Sequence, residues 1–150
     1  MAHRVLLVDD DPFLLESLSG ALSLKLQDMA VDTCESGAEA LDRIVVTDYD
    51  AVVCDIKMPR MDGLTVMAKA LELRPMVPVL LITGHGDRDL SVKALNAGAY
   101  AFIQKPIDRD YFMTCLKRAI QMRGQVRGLS RQEEEQTRNL HVRPRKSTKR

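Results

Sequence analysis

The 150-residue sequence has no tryptophan, only three cysteines and no long apolar run. Cys34, Cys54 and Cys115 show no CxxC or other ligand-like spacing. A zinc site or disulfide framework is therefore not indicated, and reduced core thiols in a cytoplasmic setting are expected. No apolar stretch approaches the ~20 residues needed to span a bilayer, so no membrane insertion is expected. The opening MAHRVLLV turns acidic too soon to act as a signal peptide. A second core-forming region is lacking too: after Leu129 the apolar residues nearly vanish, and HVRPRKSTKR has no core pattern. The length suits one domain with a short appendage.

The net charge of +1 hides an asymmetry. Residues 123–150 carry nine Arg or Lys against three Glu, or +6, which leaves thirteen basic and eighteen acidic residues in 1–122, or −5. The simplest partition is an acidic folded domain over residues 1–122 and a basic, flexible tail or linker over 123–150.

Within residues 1–122, the runs VLLV (5–8), AVVC (51–54), VPVLLI (77–82) and AYAFI (99–103) are nearly continuous in apolar character, as strands buried on both faces should be. MAVDTC (29–34) reads as a more exposed strand. Helical spacing separates them: Phe13, Leu14, Leu18, Ala21, Leu22; Ala38, Leu41, Ile44, Val45; Leu64, Met67, Ala68, Leu71; Leu90, Ala94, Leu95; and Tyr111, Phe112, Cys115, Leu116, Ala119, Ile120. Asp11-Pro12, Ser36 with Glu39, Asp87 and Asp108 supply helix starts. The order βαβαβαβαβα predicts a five-stranded, doubly wound parallel α/β sheet with sites at the carboxyl ends of its strands.

Those ends carry Asp9, Asp10 and Asp11, then Asp55, Thr83, and Lys105 with Pro106. Asp11 is assigned to capping. Asp9, Asp10 and Asp55 are clustered carboxylates that a hard divalent cation such as Mg2+ would neutralise, while Thr83 adds a hydroxyl and Lys105 a compact positive charge. Carboxylates, a metal, a hydroxyl and a lysine around one point describe phosphoryl transfer, and a carboxylate can itself be the nucleophile. Asp55 is the best candidate for it.

VDDDP, CDIKMPRMDG, LLITGHGD and AFIQKP, in this order and spacing, resemble the receiver domain of two-component response regulators over residues 1 to about 122. The resemblance implies the flavodoxin-like (βα)5 fold of chemotaxis-regulator type. Asp55 becomes the phosphoacceptor, Asp9 and Asp10 the acidic pair for Mg2+, and Lys57 a metal ligand through its backbone carbonyl. Thr83 becomes the switch hydroxyl and Phe102 the switch aromatic, a place more often held by tyrosine. Lys105 pairs with a phosphoryl oxygen, and the Lys105-Pro106 bond is cis. Met58, Pro59, Met61, Asp62 and Gly63 shape a loop and carry no chemistry of their own. His85 lies two residues beyond Thr83 and reads as a solvated loop histidine near the mouth of the site.

The implied partner is a sensor histidine kinase or a phosphotransfer protein, and the implied role is signalling, not enzymatic turnover of an external substrate. The face of the fourth helix, fifth strand and fifth helix, with Lys93, Ala97, Tyr100, Arg109 and Tyr111, is expected to contact a partner or form a homodimer. Two alternatives stand beside this reading. A haloacid-dehalogenase-type phosphatase would pair Asp9 with Asp11, but Phe13 stands where its motif wants threonine or valine. A DNA-binding regulator or hybrid kinase of which this is only the receiver fragment stays open, although the tail is too short and polar for a helix-turn-helix, so nucleic-acid binding by this chain alone is not expected. In the last helix the apolar stripe is clear only to Ile120 or Met122, and Gly124 and Gly128 weaken any continuation, so helical order is expected to fade between about residues 124 and 130.

Overall fold

The computed structural model describes residues 2–84 and 88–142. Its elements are β1 (His3–Val8), α1 (Pro12–Lys25), β2 (Met29–Cys34), α2 (Gly37–Val46), β3 (Ala51–Asp55), α3 (Gly63–Leu73), β4 (Val79–Thr83), α4 (Arg88–Asn96), β5 (Ala101–Gln104) and α5 (Arg109–Val142). All pairings are parallel and the strand order is β2-β1-β3-β4-β5. This is the flavodoxin-like doubly wound order.

Strand alternation divides the core in two. Val5, Leu7, Ala51, Val53, Leu80, Ile82 and Ile103 face α1 and α5, where Leu15, Leu18, Leu22, Phe112, Leu116 and Ala119 meet them. Leu6, Val8, Val52, Cys54, Val79 and Leu81 face α2, α3 and α4 through Ala40, Ile44, Val66, Met67, Ala70 and Ala94. Burial on both faces explains why these strands read as unbroken apolar runs, and the edge strand β2 is correspondingly half-exposed.

The helix starts follow local side-chain chemistry. The Asp11 carboxylate accepts the N–H groups of Phe13 and Leu14, with Pro12 in the first turn, and Ser36 Oγ accepts the Glu39 N–H. Asp108 Oδ1 accepts from Asp110 and Tyr111. Asp62 caps α3 by accepting the Thr65 N–H at 2.8 Å, a role its loop setting in the sequence concealed. Asp87 lies outside the described residues.

Two expectations need correction. Several helix stripes are shifted by a residue or two: Phe13, Val45, Leu95 and Tyr111 are exposed and Ala38 and Ala68 face outward, while Leu15, Ala40, Val66 and Ala70 are buried. More consequentially, α5 does not fade between residues 124 and 130 but runs to Val142. Its continuation is held by ion pairs to residues far away in sequence. Arg123 meets Asp48 at 3.1 Å, and Arg127 meets Asp48 at 3.1 Å and pairs closely with Asp50. Among the described residues no helix is long and apolar enough to cross a membrane.

Candidate functional site

The carboxyl ends of β1, β3 and β5 deliver Asp9, Asp55 and Lys105 to one point. Lys105 Nζ lies 3.6 Å from Asp9 Oδ2 and 3.5 Å from Asp55 Oδ2. Both carboxylates are buried, whereas Asp10 is exposed at the rim. One carboxylate oxygen from each of Asp9, Asp10 and Asp55 lies within 4.8 Å of the others. Asp9 is oriented by the Asp11 N–H, which donates to its Oδ1 at 2.9 Å, while its Oδ2 finds no hydrogen-bond partner.

A buried acceptor without a donor is costly, and a hard cation with an oxygen-only donor set relieves that cost. These residues therefore fit a divalent cation of the magnesium type. Burial raises the Asp9 carboxyl to about 6, assisted by the nearby Asp55 charge and opposed by the Asp11 N–H and Lys105. Burial also raises Asp55, and Lys105 opposes it.

The backbone around Asp55 is fixed tightly. The Ile56 N–H donates to Ile82 O and the Gly63 N–H to Ile56 O, both at 2.8 Å. A Cβ at position 63 would stand 2.3 Å from the Asp55 carbonyl oxygen, so only glycine lets the start of α3 approach the end of β3. Lys105 is anchored through its own N–H, which donates to Thr83 O at 2.8 Å, and the Lys105-Pro106 peptide is cis.

Thr83 ends β4, one position beyond Ile82, the register partner of Asp55. It is fully buried and its hydroxyl has no hydrogen-bond partner. Alternation places Thr83 on the face of Leu81, and Phe102, in register with Leu81, packs half-buried into the same core beside Ala94 and Leu90. Lys57 follows β3 as an exposed residue. His85 lies outside the described residues. Asp11 is engaged at the start of α1, which removes the second acid that a phosphatase of the haloacid-dehalogenase type would need.

No sequence pattern signals the pairing at the opposite edge of the sheet. There Tyr49 is buried and donates its hydroxyl to Asp32 at 2.7 Å, and Asp32 meets Arg4 at 3.1 Å. Burial acts to raise the Asp48 carboxyl, but the guanidiniums of Arg123 and Arg127 outweigh it and hold the group below the usual carboxylate range.

The chain is thus a doubly wound parallel α/β module with acids, a hydroxyl and a lysine gathered at the carboxyl edge of its sheet. A profile of the response regulator receiver domain matches residues 5–117, and the chain belongs to that family. The C4-dicarboxylate transport transcriptional regulatory protein DctD of Pseudomonas aeruginosa is 40% identical over 121 residues, which is 80% of this chain and 26% of that protein. A solved receiver domain protein, CheY-like, from Methanospirillum hungatei is 30% identical with a TM-score of 0.77, covering 83% of this chain and 98% of its own. A chain described as adenylate cyclase from Rhodopirellula baltica is 32% identical with a TM-score of 0.82, covering 89% of this chain and 98% of its own. The chain spans about a quarter of the length of the curated relatives it matches.

Proposed function

We propose that this receiver accepts a phosphoryl group on Asp55 from a sensor histidine kinase or a phosphotransfer protein. The observation that carries the reading is the placement of one lysine amine against two buried carboxylates, 3.5 Å from Asp55 and 3.6 Å from Asp9. An oxygen of Asp55 forms the new P–O bond as the bond from phosphorus to the donor's histidine nitrogen breaks, and that nitrogen leaves with its electron pair. The Lys105 ammonium stabilises charge on the phosphoryl oxygens. Asp9, Asp10 and Asp55, with the Lys57 carbonyl, would hold Mg2+, which supplies further charge neutralisation when bound. Catalysis of this kind is positioning and electrostatics, with no external substrate turned over, so we read the protein as a cytoplasmic signalling component and not an enzyme.

The buried, unpartnered Thr83 hydroxyl is the natural donor to a phosphoryl oxygen once one is present. Its movement, together with Phe102, would bias the face of α4, β5 and α5 toward a partner or a second copy. A second context, in which the receiver is the front part of a longer transcriptional regulator, is favoured by relatives such as DctD, of which this chain spans 26%.

Labelling with a small phosphodonor and Mg2+ tests the acceptor. Wild type gains a base-labile acyl phosphate, Asp55→Asn gains none, and Lys105→Ala is labelled but does not switch. A base-stable label that survives Asp55→Asn would remove Asp55 from the role.

A further inference from the structure

The basic residues Arg123 and Arg127 are one helical turn apart on one face of α5, beyond the last buried apolar residue, Ile120. The side chain of Arg123 is 11% exposed, which a solvated tail residue would not be. Partial burial recurs at Met122, Arg123, Val126, Arg127 and Gly128 and stops at Leu129. The receiving surface is the α2–β3 connection at the amino-terminal edge of the sheet. Asp48 faces both guanidiniums, and Arg127 also donates to the carbonyls of Asp48 (3.4 Å) and Tyr49 (3.5 Å). Asp50, buried, pairs with Arg127 through Oδ1 and accepts the Arg4 N–H through Oδ2 at 2.8 Å, with His3 Nδ1 3.8 Å away. Tyr49 pins the corner from within through its bond to Asp32.

We propose that this acidic corner is a docking site for the start of the α5 extension, which makes residues 123–127 part of the folded receiver and fixes the direction in which the helix leaves it. A free helix containing Gly124 and Gly128 would be marginal in water. Here the helix is held by a buried carboxylate, and truncating either side of such a pair leaves the other side desolvated and unmatched. From Leu129 through Leu140 the helix has only exposed side chains, so the clamp separates a held segment from a projecting one.

Amide hydrogen exchange on the full chain, read by mass spectrometry, tests this. In wild type, amides 121–128 should exchange markedly more slowly than 131–142. Arg123→Gln with Arg127→Gln should accelerate 121–128 about tenfold or more while β1 and β3 keep their protection and a small phosphodonor still labels Asp55 at the wild-type rate. Should the double variant lose protection throughout, Arg123→Gln alone is read the same way, since its partner Asp48 is partly solvated. Wild-type protection over 121–128 no greater than over 131–142, or protection left unchanged by these variants, would overturn the proposal.

Discussion

Asp9 carries a charge that its buried position opposes. Its carboxyl is raised to about 6 in the fold from 3.8, chiefly by burial. Between roughly pH 4 and pH 6 the folded state therefore binds more protons than the unfolded chain, and the contribution of Asp9 to stability falls as pH rises through that window. Above it the contribution is constant and unfavourable. Asp9→Asn keeps an oxygen for the Asp11 N–H and removes the charge. In metal-free buffer at pH 7.5 the variant should be more stable than wild type by on the order of 1–3 kcal/mol by urea unfolding, and the difference should vanish near pH 4. Added Mg2+ should stabilise wild type and leave the variant much less affected. A wild type that gains on the variant as pH rises would contradict the assignment.

Helix α4 is thinly seated among the described residues. Of its side chains Ala94 is the fully buried one among the described residues, while Val92 and Leu95 are 59% and 50% exposed. The half-buried ring of Phe102 lies beneath it. Elements with little buried apolar surface open most readily, and α4 is the helix that follows Thr83 and β4 in the chain. Binding of a non-hydrolysable phosphoryl analogue should accordingly shift amide resonances at Lys93, Ala97, Tyr100, Arg109 and Tyr111. Changes confined to α1 and α2 would place the responding face elsewhere.

At this scale the sequence was most legible where one physical rule dominates. Strands buried on both sides advertise themselves as unbroken apolar runs, and Asp9, Asp55, Thr83 and Lys105 lie at or just past the strand ends those runs mark. Helix faces were less legible, because Phe13, Val45, Leu95 and Tyr111 are apolar yet exposed, and periodicity alone cannot tell them from core residues. The length of α5 was not legible at all. Arg123 and Arg127 meet partners 75 and 77 residues away in the chain, and nothing local in RGQVRG signals a carboxylate waiting there.

For the whole molecule, the acidic body and basic end described by the charge pattern are joined by specific contacts and not only by general attraction. Among the described residues, those from 131 to 140 are all exposed, so deleting residues 131–150 takes no buried side chain from among them. The shortened protein should fold with an unchanged urea midpoint and still be phosphorylated on Asp55. Truncation after Met122 also removes both arginines of the α2–β3 contact and should lower the midpoint. A midpoint equally lowered by the two deletions would mean that the distal segment supports the domain.

Helix α5 follows β5 and runs antiparallel to the strands, so that Arg127 reaches the residues just before β3 while Asp55 closes β3 at its other end. The two ends of the sheet are thereby given separate traffic. On the proposed role of Asp55, a bulky phosphodonor would cover the carboxyl edge while any segment continuing from α5 departs from the amino edge, so loading and exit would not compete for space. A cargo fused after α5 is therefore free to stay attached, and even to be large, throughout the encounter with the donor.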